Sequence, residues 1–241
     1  VWARKTARRP ADSDMTYGYG RAEVVAALIN LTTLIVIGFY LIYEAVMRFF
    51  EPQDVLGWLI IAIAGVALLV DLVPALLPYR LAKDSVNIRA AFLHNVADAL
   101  GSVAVIFAGV VIWTTGWNWV DPLVTLGIAG YILWMAWGEI GGVIRILMQG
   151  TPPKLAPESV LHSAETVEGV DSLHHAHLWM IDEHTAALTA HMVIASGDWS
   201  RADAIKAQVK TVLDQQHGLT HVTLEMECAA HRCSDEIRIG H

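Results

Sequence analysis

The stretch IRAAFLHNVADALGSVAVIFAGVVIW, residues 88–113, decides the architecture of this chain. It is long enough to cross a hydrocarbon layer, because ~20 helical residues rising ~1.5 Å each span ~30 Å. Lipid offers the backbone no hydrogen-bond partners, so such a segment must be a helix. Three further segments of the same character lie at Ala22–Met47, Val55–Leu77 and Pro122–Leu133, the last continuing to Leu147. Buried helices of a large soluble protein are the alternative. Four such lengths in succession, joined by short linkers, argue against it. The expectation is an all-α transmembrane bundle of four helices.

Basic residues give the orientation, since Lys and Arg concentrate in cytoplasmic loops. Arg4, Lys5, Arg8, Arg9 and Arg21 lead into the first segment. Arg80 and Lys83 lie between the second and third, with Arg89 at the start of the third, and Arg145 and Lys154 come after the fourth. The first connector holds Arg48 with Glu51 and Asp54, and Thr114–Asp121 holds no Lys or Arg. Trp113, Trp117 and Trp119 cluster there, as expected of an aromatic belt at the far interface. The N-terminal end, the 79–87 connector and the C-terminal part are thus assigned to the cytoplasm.

Composition agrees. Hydrophobic residues make up 55% and charged residues 17% of the 241 positions, against about 25% charged in average soluble domains. A net charge of −8 argues against a nucleic-acid partner, whose phosphates need a basic patch. Cys228 and Cys233 are too few for a disulfide scaffold and suit metal binding or free thiols. There is no Walker sequence, no Gly-x-Ser-x-Gly and no His-Glu-x-x-His, so neither an ATP-driven pump nor a hydrolase is indicated. The first residue is Val1 and no signal-peptide pattern precedes the first apolar block, so the sequence is expected to begin inside a longer protein.

Residues 155–241 carry a different rhythm. Pro157–Thr166 and Trp199–His217 have helical spacing, while Val170–Ile181, Ala186–Ile194 and His221–Cys228 read as strands. The order helix, strand, strand, helix, strand suits a small cytoplasmic α+β domain of ferredoxin-like arrangement with both helices on one face.

The candidate chemistry falls in two places. His94 and Asp98 stand one turn apart inside the quoted stretch, so they share a helix face. Ionisable groups at membrane depth are expensive and usually line a pathway or bind something. Imidazole with carboxylate suits Zn²⁺, which takes four N, O or S ligands, and two more must come from elsewhere. A helix–helix hydrogen bond is the plainer reading. Asp71, Asn30 and Tyr40 are also intramembrane, where interhelical hydrogen bonds explain them equally well. Glu44 falls near a span end. Ten of the eleven histidines follow residue 150. Alternation along the strand puts His174 on one face and His175 with His177 on the other. His191, His221 and Glu227 lie on the other strands, and Cys228 and Cys233 bracket His231. Together these groups suit one Zn²⁺ site or two. His162, His184 and His217 read as ordinary surface residues.

At Tyr17-Gly18-Tyr19-Gly20-Arg21-Ala22-Glu23, at Phe92-Leu93-His94-Asn95-Val96-Ala97-Asp98-Ala99-Leu100-Gly101-Ser102, at Asp121-Pro122-Leu123 and at His177-Leu178-Trp179, the chain resembles the cation diffusion facilitator family, in particular its bacterial zinc/cadmium efflux branch. The resemblance covers essentially the whole chain. It implies a transmembrane cation efflux domain over residues 1–150 and a cytoplasmic ferredoxin-like metal-binding dimerisation domain over 151–241. The four segments would be helices three to six of six, without the first two. The second of those would supply the His-x-x-x-Asp or Asp-x-x-x-Asp pair that completes the site of His94 and Asp98. The resemblance also implies a homodimer in the bacterial inner membrane that exchanges Zn²⁺ for protons, with Cd²⁺, Co²⁺ or Ni²⁺ as further candidates. It carries metal roles onto His174, His191, His221 and Glu227, with Glu225 as an alternative to His221, and onto Cys228 and Cys233. A membrane-anchored metal sensor or metal-binding protein without transport is the rival reading.

Overall fold

The computed structural model describes residues 2–51, 56–79, 86–234 and 237–240, and at 2, 4, 71, 73–79 and 86–97 it describes the backbone alone. Arg80, Lys83, Asp54 and the side chains of Asp71, Pro74, Arg89, His94 and Asn95 therefore lie outside the described residues. The elements run α1 (Trp2–Ala7), α2 (Arg21–Phe50), α3 (Gly57–Tyr79), α4 (Val86–Thr115), α5 (Val120–Leu147), α6 (Pro157–Glu165), β1 (Val170–Met180), β2 (Ala186–Ile194), α7 (Ala202–His217) and β3 (His221–Cys228). They form two compact units, Leu31–Gly138 and the remainder, Val1–Asn30 with Glu139–His241.

The expected bundle of four spanning helices is corrected. Among the described residues three helices are long and apolar enough to cross a membrane: Arg21–Phe50, Asp98–Thr115 and Val120–Leu147. The second apolar segment, within α3, supplies Gly57–Val70, a shorter apolar helix among the described residues.

Within the unit 31–138, α3 and α4 meet through glycines. A Cβ on Gly57 would come within 2.7 Å of the Gly109 carbonyl oxygen, and one on Gly109 within 3.1 Å of the Gly57 carbonyl. Without a hydrophobic drive between helices in lipid, such small-residue crossings allow close backbone packing. Helices α2 and α5 touch where Gly38 takes the side chain of Leu133 and where Arg48 reaches Asp121.

The other unit is built on a three-stranded sheet in the order β1-β2-β3. Strand β2 runs antiparallel to β1 and parallel to β3. Alternation assigns Leu188, Ala190, Met192 and Ile194 to one face, where they join Val160, Leu161 and Ala164 of α6 and Ile205, Val209 and Leu213 of α7 in one core. Helix α7 ends at Gly218, whose φ of 66° is the left-handed cap that lets the chain turn into β3. Leu213 is fully buried in this core. Leu213→Ala is therefore expected to lower the unfolding free energy of this unit by roughly 2–5 kcal/mol, readable in a denaturant titration followed by circular dichroism. The N-terminal segment belongs to the same unit: Arg21 Nε donates to the Ile181 carbonyl at 2.8 Å, at the β1–β2 turn.

Candidate metal centre

The face of the sheet away from α6 and α7 carries the chemistry. His191 of β2 pairs with His174 of β1 on one side and with Glu225 of β3 on the other. Strand alternation then puts Glu227 on the same face as Glu225. The register of β1 shifts between His174 and His177, and His175 sits at φ 48°, a left-handed conformation uncommon outside glycine. This is a β-bulge, which inserts one residue and re-aims its side chain.

The bulge corrects the sequence reading of β1. Strict alternation separates His174 from His175 and His177. Instead, His174 and His177 pair with His191 and Thr189, two β2 residues on one face, while Ala176 joins the core. His175 comes to the cluster as the extra residue. The rings of His174, His175 and His191 form a near-equilateral triangle, with centroids 5.0, 5.2 and 5.1 Å apart. Cys233 closes the group, and one ligand atom from each of the four lies within 4.8 Å of the others. A tetrahedral Zn²⁺ would draw nitrogen donors to about 3.3 Å apart, given Zn–N bonds of ~2.0–2.1 Å. The required contraction is within side-chain reach.

The C-terminal tail brings Cys233 there. Beyond β3 the chain folds back along β1, with His175 N–H donating to the Ile237 carbonyl at 2.8 Å and Ala176 N–H to the Arg238 carbonyl at 3.1 Å. Arg238 fastens this tail to α6 through Glu158 and Glu165, both at 2.8 Å.

Glu227 organises the centre. Its Oε1 contacts His191 Nδ1 at 2.6 Å and accepts from the Cys233 thiol at 3.2 Å, while its Oε2 accepts from the Cys233 backbone N–H at 3.0 Å. Burial pushes this carboxyl up, but the Cys233 hydrogen bonds, His191 and the nearby His174 outweigh it and hold it below the ordinary glutamate value. His174 is only 2% exposed, and neither of its ring nitrogens has a hydrogen-bond partner among the described residues. Glu227 Oε2 stands 3.5 Å from its Nε2. A buried imidazole with both nitrogens unsatisfied is costly as it stands, and a metal ion would repair one of them. Three imidazoles and a thiol form a borderline-soft donor set, suited to Zn²⁺, Cd²⁺ or Co²⁺ and ill suited to Mg²⁺ or Ca²⁺.

Of the residues singled out by sequence, His174, His191, Glu227 and Cys233 come together here. Cys228 instead pairs with His231, Sγ to Nδ1 at 3.1 Å. His221 is exposed at the opposite end of β3, beside a small cavity lined by Tyr17 and Trp179. Six residues of strand, roughly 20 Å, separate it from Glu227. His175 is the member that sequence reasoning missed. Its only signal was two adjacent histidines in one strand, which alternation reads as pointing apart. In the other unit, Asp98 is exposed and lines a cleft among α3, α4 and α5. His94 lies on the helical backbone of α4, with its side chain outside the described residues.

Residues 1–148 match the cation efflux transmembrane domain, and residues 152–229 match the cation efflux protein, cytoplasmic domain. A cadmium, cobalt and zinc/H(+)-K(+) antiporter of Bacillus velezensis is 36% identical over 98% of this chain and 76% of its own length. Zinc transporter ZitB of Pectobacterium atrosepticum is 33% identical over 97% of this chain and 72% of its own. A solved structure, the metal-bound C-terminal domain of the CzcD transporter from Cuprividus metallidurans, is 26% identical over 30% of this chain and 99% of that one, with a TM-score of 0.28.

Proposed function

Since this chain belongs to the cation efflux family, we propose that it is an integral membrane antiporter that moves Zn²⁺ out of the cytoplasm in exchange for protons. The observation that carries the metal half of this reading is the His174, His175, His191 and Cys233 cluster, with its buried and unsatisfied imidazole. The transport half is supported by the matched relatives, one named a cadmium, cobalt and zinc/H(+)-K(+) antiporter and another a zinc transporter. The protein is not an enzyme. The cleft that contains Asp98 is a path for an ion rather than a pocket for catalysis.

In this reading His94 and Asp98 hold the transported ion inside the bundle, with further ligands from other groups. Zn²⁺ binds neutral imidazole and ionised carboxylate, so the ion and protons compete for the same atoms. Zn²⁺ loads from the cytoplasm, the helices rock to the other side, and incoming protons displace it. The cytoplasmic domain binds Zn²⁺ on the helix-free face of its sheet, senses cytoplasmic metal and supports a homodimer. Cd²⁺ and Co²⁺ fit the same donors. The membrane is assigned as the bacterial inner membrane, with the C-terminal domain in the cytoplasm.

The test is flux by the intact protein in proteoliposomes. An imposed proton gradient should drive Zn²⁺ against its own gradient, and added Zn²⁺ should move protons the opposite way. Tight Zn²⁺ binding with no transmembrane flux would overturn the antiport and leave a membrane-anchored sensor.

A further inference from the structure

The cleft among α3, α4 and α5, about 860 Å³ in volume, has a carboxylate toward each end. Asp121 lies in the first turn of α5, close to the end of α4 at Thr115. Asp98 stands about 25 Å back along α4, at ~1.5 Å per residue. Helix α5 lines the cleft at Asp121, Gly127, Tyr131 and Met135, which is roughly 21 Å of its length. The cleft therefore runs from the level of Asp98 to the end of the bundle that the basic residues assign to the non-cytoplasmic side. Its walls are mostly apolar, with Ser102 the polar group nearest Asp98 on α4.

Asp121 is already engaged. Arg48, near the end of α2, places Nη1 2.8 Å from Asp121 Oδ2 and Nη2 2.8 Å from Glu44 Oε1. One guanidinium thus bridges two carboxylates on two helices, and only one of the two faces the cleft. A bare carboxylate at the mouth of a low-dielectric passage would hold a departing dication, because charge attraction there is poorly screened. A guanidinium on that carboxylate cancels the trap. A second carboxylate behind the guanidinium keeps it paired when it lets go, which avoids stranding a charge.

We propose that Asp121 is the last station on the outward path of the cation, and that Arg48, held also by Glu44, is the gate that keeps this station from retaining it. This rests on the antiport reading above. A dication arriving from Asp98 repels the Arg48 guanidinium from Asp121, while Glu44 keeps hold of it, and binds Asp121. Return of Arg48 then releases it to the far side.

Initial rates of Zn²⁺ flux in proteoliposomes of the intact protein test this. Arg48→Gln leaves Asp121 uncancelled, so KM and the maximal rate should fall together, each about tenfold. Asp121→Asn should lower the maximal rate about threefold with KM near the parent value. The double variant should recover to the level of Asp121→Asn alone, because the trap is gone and the two effects are coupled. Arg48→Lys, which keeps the charge, should stay near the parent. If the double variant is no better than Arg48→Gln, or if Arg48→Gln raises KM, the pair merely ties α2 to α5 and the gate is overturned. Absence of flux from the parent itself would overturn the antiport reading, and the gate with it.

Discussion

His191→Ala should weaken Zn²⁺ binding at the cytoplasmic cluster by at least ~100-fold, since loss of a supporting residue alone typically costs ~10–100-fold. His191 is the contact common to the group. It packs against the rings of both His174 and His175, holds Glu227 through Nδ1, and lies 3.6 Å from the Cys233 sulfur. Its removal takes away one donor and frees the carboxylate that orients the thiol. His221→Ala is the matched control, because that side chain stands at the other end of β3 and should leave affinity unchanged. Competition against a chromophoric chelator, with the intact protein in detergent at neutral pH, measures both. The pH dependence has a definite sign. Imidazoles ordinarily protonate near ~6.5 and must be neutral to bind, so affinity should fall as the solution is acidified through that range. Glu227, held below the ordinary glutamate value of ~4.3, stays ionised throughout this window. Its stabilisation of the metal-free domain is complete above that ordinary value and is lost only as pH falls through its lower folded-state value. Release of metal on acidification therefore reports protonation of the imidazole and thiol donors and not of this carboxylate.

Sequence alone reached the cytoplasmic unit well for a physical reason. Val222, Leu224 and Met226 alternate with Thr223, Glu225 and Glu227, and β3 occupies His221–Cys228 as that pattern requires. Period-two alternation is a local property, so it survives without knowledge of the fold. Two things were not local. The bulge at His175 depends on how β1 meets β2 and the returning tail, and no side-chain pattern encodes it. Cys233 reaches the cluster only because the tail doubles back and Arg238 pins it to α6. Those two features separate the cluster that the structure brings together from the expected ligands, which included His221 and Cys228. In the bundle the expectation and the structure differ at the second segment. Apolar composition marked Val55–Leu77 as a span, whereas among the described residues the apolar helix there is Gly57–Val70. The Arg48–Asp121 contact was hidden differently. Each residue was visible near a helix end, but 73 positions separate them, and nothing in the sequence says that they meet.

Asp98→Asn should reduce Zn²⁺ flux by at least ~100-fold, the largest effect expected of any single change in the bundle. The amide keeps the size and most of the hydrogen-bonding capacity of the carboxyl, so the helix itself should tolerate the change. What is lost is charge and titration. A dication in a poorly screened passage needs anionic donors, and a carboxylate supplies both a ligand and half of the balancing charge. An amide also cannot take up the proton that displaces the ion, so coupling should vanish along with flux. Asp98→Glu separates these roles, because it keeps the anion and the titratable proton but lengthens the arm. Partial flux with proton coupling intact is the expected result there. Zn²⁺ binding at the cytoplasmic cluster should be unaffected in both variants, which distinguishes a lost transport site from a misfolded chain. Parental flux from Asp98→Asn would mean that the ion crosses without this carboxylate. The cleft shared by Asp98 and Asp121 would then have to be assigned to something other than the metal.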